Sequence, residues 1–129
     1  MAYNATLRTK TVAGSVNIFD SAMVRWITGG VTIDHTTVPE VDGKKVLKAG
    51  TPLGKIEANG KYGPWDPDAT DGRQTAVCML GEDVDFSLDN GAYSDQVATA
   101  FDWARVIKAR LPVEVTTELE QQLKHITFV

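Results

Sequence analysis

Apolar and polar positions alternate most legibly in the middle of the chain. The triplet Val41-Asp42-Gly43 is a turn signal, and Val46-Leu47-Lys48 behind it begins a strand. Ala49-Gly50 turns the chain, and residues 51–58 are extended with Leu53 and Ile56 as inward positions. Asn59-Gly60 is the pair that a two-residue hairpin turn demands, because both central positions take positive φ. Residues 61–65 therefore return antiparallel. Pro64 has no backbone donor to give a ladder, which marks a strand end or a sheet edge. Residues 66–72 form a loop by composition, and residues 73–80 form a strand that its continuous apolar run marks as buried. A second polar loop covers residues 87–95.

Two stretches have no single reading. Ile18, Phe19, Met23, Val24, Trp26 and Ile27 fit a short helix and a strand equally, before Gly29-Gly30 breaks the segment and Val31-Thr32-Ile33 restarts an extended one. Val97, Phe101, Ala104, Ile107 and Leu111 recur at helical spacing. Yet Val97, Phe101, Trp103, Ile107 and Leu111 also satisfy a period of two, with Arg105 as the exception, so periodicity alone does not decide residues 96–111. Pro112 ends the segment in either case. Beyond it, Thr117 with Glu120 three residues on makes a capping box, and Leu119, Leu123 and Ile126 share one apolar face. A short helix is predicted over residues 117–124, followed by an apolar tail at 126–129 that tucks into the core.

The first fifteen residues differ from the rest. Tyr3, Leu7, Val12 and weakly Met1 are their only core-forming positions, with threonines between them. Such a segment is too polar to form a core alone, yet its threonines and valine favour extended structure. It is either a frayed terminus or an arm that becomes a strand where a partner offers a sheet edge.

Composition narrows the function more than the fold. The chain has 129 residues, enough to bury a core without a disulfide or metal, and 43% hydrophobic with 23% charged residues is ordinary for a globular protein. A net charge of −4 with no Lys/Arg cluster argues against nucleic acid as a partner. There is no signal-type start and no apolar run able to cross a bilayer, so no membrane role is expected. Cys78 is the only cysteine and sits in an apolar run, where a thiol behaves as a small hydrophobe, in keeping with synthesis in a reducing cytoplasm.

No catalytic constellation emerges, and neither an enzyme nor a cofactor is expected. Asp66, Asp68 and Asp71 with Gly72 fail the spacing of a calcium loop, since Thr70, Asp71 and Val77 would occupy the fifth, sixth and twelfth positions. His35 and His125 with one cysteine cannot make up an ordinary zinc set. Ser15 follows Gly14 outside any nucleophile elbow, and Gly50, Gly54 and Gly60 do not form a phosphate loop. Glu82, Asp83 and Asp85 read as a solvated face. Trp26, Trp65 and Trp103 read first as core residues, and second as platforms on which sugar rings could stack.

Residues 49–54, 60–67 and 71–80 together carry a resemblance. Thr51-Pro52-Leu53-Gly54, then Trp65-Asp66, then Asp71-Gly72, then an apolar strand ending in Leu80, occur in the order and spacing of the lambda-type phage head decoration protein family. The likeness extends more weakly over residues 46–129 and tips residues 96–105 toward a strand followed by a short helical turn. What it implies is a mainly β protein (β-rich α+β), a small barrel-like domain over residues 16–129 with a short C-terminal helix and a flexible arm over residues 1–15. It further implies a homotrimer bound to the major capsid protein on the outer surface of the virion, reinforcing the expanded head, after synthesis in the host cytoplasm. The arm would make the attachment, through Tyr3, Thr6, Leu7, Arg8, Thr9, Thr11 and Val12. The alternative from another class is a trimeric receptor- or glycan-binding module of a tail or surface fibre.

Overall fold

Ten short strands and one α-helix are found in the computed structural model, which describes residues 17–129. In chain order they are β1 (Arg25–Trp26), β2 (Val31–Ile33), β3 (Val46–Leu47), β4 (Pro52–Lys55), β5 (Tyr62–Pro64), β6 (Ala76–Leu80), β7 (Val84–Asp85), β8 (Gln96–Ala98), β9 (Ala100–Val106), α1 (Thr117–Gln122) and β10 (Ile126–Phe128). The protein is mainly β, as the sequence and the resemblance both imply.

The main sheet runs β1-β9-β6-β4-β5-β2-β8, with β10 added to β9 in parallel. It is not flat. β8 continues into β9 through the single residue Thr99, and β1 continues toward β2 across Gly29-Gly30. The path from β9 through β6, β4, β5 and β2 to β8 therefore returns to its own start, giving a small barrel. Ile33, Leu53, Tyr62, Cys78, Leu80, Ala98 and Ala100 come from all six strands of that ring and share one apolar cluster, its interior. The β3–β7 pair contributes Leu47 and Val84 to the same cluster.

A second cluster lies on the outside of the barrel wall. Ala76 and Met79 of β6 and Phe101, Ala104 and Val106 of β9 pack there against Leu119 and Leu123 of the helical segment, with Ile126 of β10 and Ile18. Neighbouring residues on one strand thus face different cores: Leu80 and Ala100 point inward, Met79 and Phe101 outward. This is why periodicity could not decide residues 96–111. The adjacent Ala100 and Phe101 are both buried, the pairing shifts register between Phe101 and Trp103, and the segment divides into two strands and a turn, so no single period runs through it. The segment is β8 and β9 followed by a 3-10 turn at Lys108–Arg110, the order the resemblance implies.

The ambiguous segment before Gly29 is extended and runs along the other side of β9. Phe19 bridges Val106, and Arg25 and Trp26 pair with Trp103 and Phe101 across an irregular register. The C-terminal tail adds a strand, with Ile126 buried, Phe128 partly buried and Val129 exposed.

Four local expectations need correction. Asp42 and Gly43 both have positive φ (54° and 74°), as a two-residue turn requires, whereas at Asn59-Gly60 only Gly60 does (73°). The Ile56 N–H instead donates to Lys61 O at 2.7 Å, closing a four-residue loop, and Asn59 Oδ1 accepts from the Lys61 N–H at 2.9 Å. Asn59 thus works through its side chain and not through left-handed backbone. The strand expected from Arg73 begins only at Ala76, because residues 73–75 belong to the loop crossing β4. Gly54 permits that crossing: a side chain there would start 2.5 Å from Arg73 Cα.

Within β6 the run is not wholly buried. Leu53 pairs with Cys78 but Gly54 with Ala76, so Val77 is the extra residue of a bulge and is 44% exposed. The helix is capped one residue earlier than Thr117. Thr116 Oγ accepts from the Leu119 N–H at 3.2 Å, and the helix ends at Gln122. Replacing Thr116 by Ala should cost about 1 kcal/mol in denaturant unfolding, against about 0.5 kcal/mol or less for Thr117→Ala. Equal losses would return the cap to Thr117.

Candidate functional site

The side chains that could have carried chemistry hold the backbone in place. Asp66 Oδ1 accepts from the Asp68 N–H at 3.0 Å, and both oxygens of Asp71 receive the Arg73 Nε–H at 3.0 and 3.2 Å. The acids after β6 tie loops together. Glu82 Oε2 accepts from the Thr99 N–H at 2.8 Å, and Asp83 Oδ1 accepts from the Ala49 N–H at 2.8 Å. Asp85 Oδ1 accepts from the Ser87 N–H at 2.9 Å. Among the described residues, no three His, Cys, Asp or Glu side chains gather where a metal ion could sit. Cys78 is fully buried in the barrel interior, and burial pushes its thiol up to about 12. At neutral pH it carries no thiolate to act as a nucleophile.

The densest polar cluster joins residues 34–45 to β5 and to the loop before β8. Lys61 Nζ donates to Asp95 Oδ2 at 2.6 Å, while Asp95 Oδ1 accepts from the His35 N–H at 3.0 Å. The Lys61 ammonium is the main reason the Asp95 carboxyl lies below the usual carboxylate range. Lys45 Nζ reaches His35 O at 2.9 Å and lies 4.7 Å over the Tyr93 ring, whose hydroxyl donates to Glu40. Each bond closes a gap between loops, so this cluster is a latch.

A different surface is open. Three adjoining hollows of about 350, 410 and 440 Å³ surround residues 17–26, and the first two share Met23 and Trp103. Met23 is 68% and Trp103 43% exposed. The expectation of buried tryptophans therefore holds best for Trp65, which is partly buried against the outer cluster and donates its indole N–H to Gln74 O at 3.0 Å. Trp26 is 45% exposed but seated, with its ring edge-on to Phe19 and Phe101 and lying over Gly81. Trp103 is the one that stands open, beside Met23. The sequence reads Trp103 as surface only in its second, sugar-stacking sense and does not single out Met23, which lies in the segment that fits a helix and a strand equally.

The seven arm residues Tyr3, Thr6, Leu7, Arg8, Thr9, Thr11 and Val12 lie outside the described residues. The first described residue is Asn17. Asn17 lines the third hollow, together with Phe19, Asp20, Ser21 and Ala22.

Comparison with known families gives one match. The family model described as bacteriophage lambda head decoration protein D matches residues 8–122, most of the chain, and the chain belongs to that family. No curated protein matches it. Membership assigns the chain to decoration of the phage head, a structural role.

Two measurements follow from the geometry. Ellman's reagent at pH 8 should label Cys78 only at the rate at which the fold opens; labelling at the speed of a free thiol would contradict its burial. Because the Asp95 carboxyl is depressed by Lys61, the stability it adds is complete above about pH 4, the unfolded value, and is lost as acid protonates the carboxylate. Asp95→Asn should therefore lower the melting temperature at pH 7, with the gap to the parent closing as pH falls below about 4.

Proposed function

We propose that this chain, which belongs to the lambda head decoration protein D family, binds the outer surface of the expanded phage head as a homotrimer and reinforces it. Residues 1–15 form the arm that attaches to the major capsid protein, and residues 16–129 form the body. The chain is made in the host cytoplasm and acts by binding, with no reacting group and no cofactor.

The family match carries this reading. It begins at residue 8, so Arg8, Thr9, Thr11 and Val12 fall inside the span that the family shares. The arm's composition supports the same role: apolar Tyr3, Leu7 and Val12 separated by threonines suit a strand added to another protein's sheet edge. One such arm binds weakly, since ordering its backbone costs about 1–2 kcal/mol per residue. Three arms on one trimer raise the effective concentration at the shell, so modest contacts sum to tight attachment. A ligand that binds only the expanded shell stabilises that state by mass action.

Deleting residues 2–15 should leave a folded trimer, by circular dichroism and native mass, that no longer co-sediments with expanded heads. Full retained binding would remove the arm from the mechanism, and a monomeric native mass for the intact chain would remove the trimer.

A further inference from the structure

Resting on that reading of the arm, we propose that the outward face of the β1–β9–β10 sheet, centred on Met23 and Trp103, is a second docking surface for the coat protein, and takes an apolar segment flanked by carboxylates. The face is built around β9. Arg25 of β1 pairs with Trp103, and Thr127 of β10 pairs with Arg105, so the three strands lie side by side. On one face Phe101, Ala104, Val106 and Ile126 belong to the cluster beneath the helical segment. The outer side chains Met23, Trp103, Arg105, His125 and Thr127 are exposed.

This face has the make-up of an interface centre. Trp, Met and Arg are the residue types enriched at such centres, and tryptophans there carry a large share of the binding energy. Met23 and Trp103 form an apolar spot over two joined hollows of about 350 and 410 Å³. Cations rim it. Arg25 and Arg105 each hold an acid through Nε alone, Asp102 at 2.8 Å and Asp20 at 2.7 Å, with 63% and 53% of their side chains exposed. Each guanidinium is thus engaged at Nε yet more than half exposed, and such a group accommodates a further carboxylate. Lys124 adds a third exposed cation beside Trp103.

The position of the arm selects the occupant. The arm of residues 1–15 ends two residues before Asn17, the first described residue, which lines the third hollow; that hollow shares Ser21 with the first and Ala22 with the second. A partner that holds the arm is thereby held against this face, only six residues from Asn17 to Met23. Contact with the face then costs little further translational freedom, because the arm has already brought the two surfaces together.

The test uses intact trimers of the parent chain, Met23→Asp and Trp103→Ala, with the 2–15 deletion alongside, in co-sedimentation with expanded heads. Met23→Asp places a carboxylate where the partner's carboxylates approach, at a position too exposed to endanger folding. It should weaken binding roughly tenfold or more while native mass and melting temperature stay near the parent's. Trp103→Ala should weaken binding in the same direction. Parental affinity in both variants overturns the face, even where the arm deletion abolishes binding and so upholds the arm. Loss of the trimer in Met23→Asp also overturns it, by making this face a contact between copies of the chain. If the arm deletion binds fully while Met23→Asp does not, the face stands and the arm reading falls.

Discussion

The hydrogen-bonded pair β6 and β9 presents apolar side chains on both of its faces, and both have to be covered at once. Met79 pairs with Phe101 on the outside of the barrel while Leu80 pairs with Ala100 on the inside, and all four are fully buried. A single layer cannot satisfy such a wall. On one side the sheet has to curl round to enclose Leu80, Cys78 and Ala100. On the other, the helical segment and β10 have to come back over Met79, Phe101 and Val106. Truncating a fully buried aromatic such as Phe101 to Ala costs about 3–5 kcal/mol, so this wall carries a large share of the fold's stability.

The same constraint decides where the surface stays open. β9 is the longest of the described strands, and its second half is flanked by β1 and β10, with one face already covered by the helical segment. Nothing in the described chain is left to cover the opposite face there, which exposes Met23 and Trp103. Elsewhere the polar groups close loops onto the barrel: Glu82 onto Thr99, Asp83 onto Ala49, Asp95 onto His35 and Lys61. A body latched in this way, with Glu82, Asp83 and Asp95 engaged and its one thiol buried, holds its loops fixed on the barrel.

How much of this was legible depended on whether the signal was local. The extended segment after Ala49, the Asp42-Gly43 turn, the return strand after Gly60 and the C-terminal helix all came from short-range chemistry, and all are present. The errors were of a different kind. The cap at Thr116 and the four-residue loop at Asn59 were missed because two neighbouring residues could each meet the local requirement, and only the closing hydrogen bond selects between them. Val77 was read as buried because a bulge, which turns it outward, leaves no mark in an apolar run. Of the candidate surface, the sequence isolated the arm by its composition but not the face beside it.

By itself, then, the sequence determined a β-rich chain with no catalytic constellation, a late helix, a distinct first fifteen residues and a run of motifs that resembles one family. These follow from composition, turn chemistry and spacing, which are properties of neighbours along the chain. Only the tertiary structure decided that β9 is buried on both faces at Ala100 and Phe101 but open at Trp103 and Arg105, that Trp65 is partly covered, and that β10 lies parallel to β9. The reason is physical. Whether a side chain meets solvent or a neighbour depends on which distant strand is laid against it, and the strands that meet at β9 come from residues 18–26, 76–80 and 126–128, far apart in the chain.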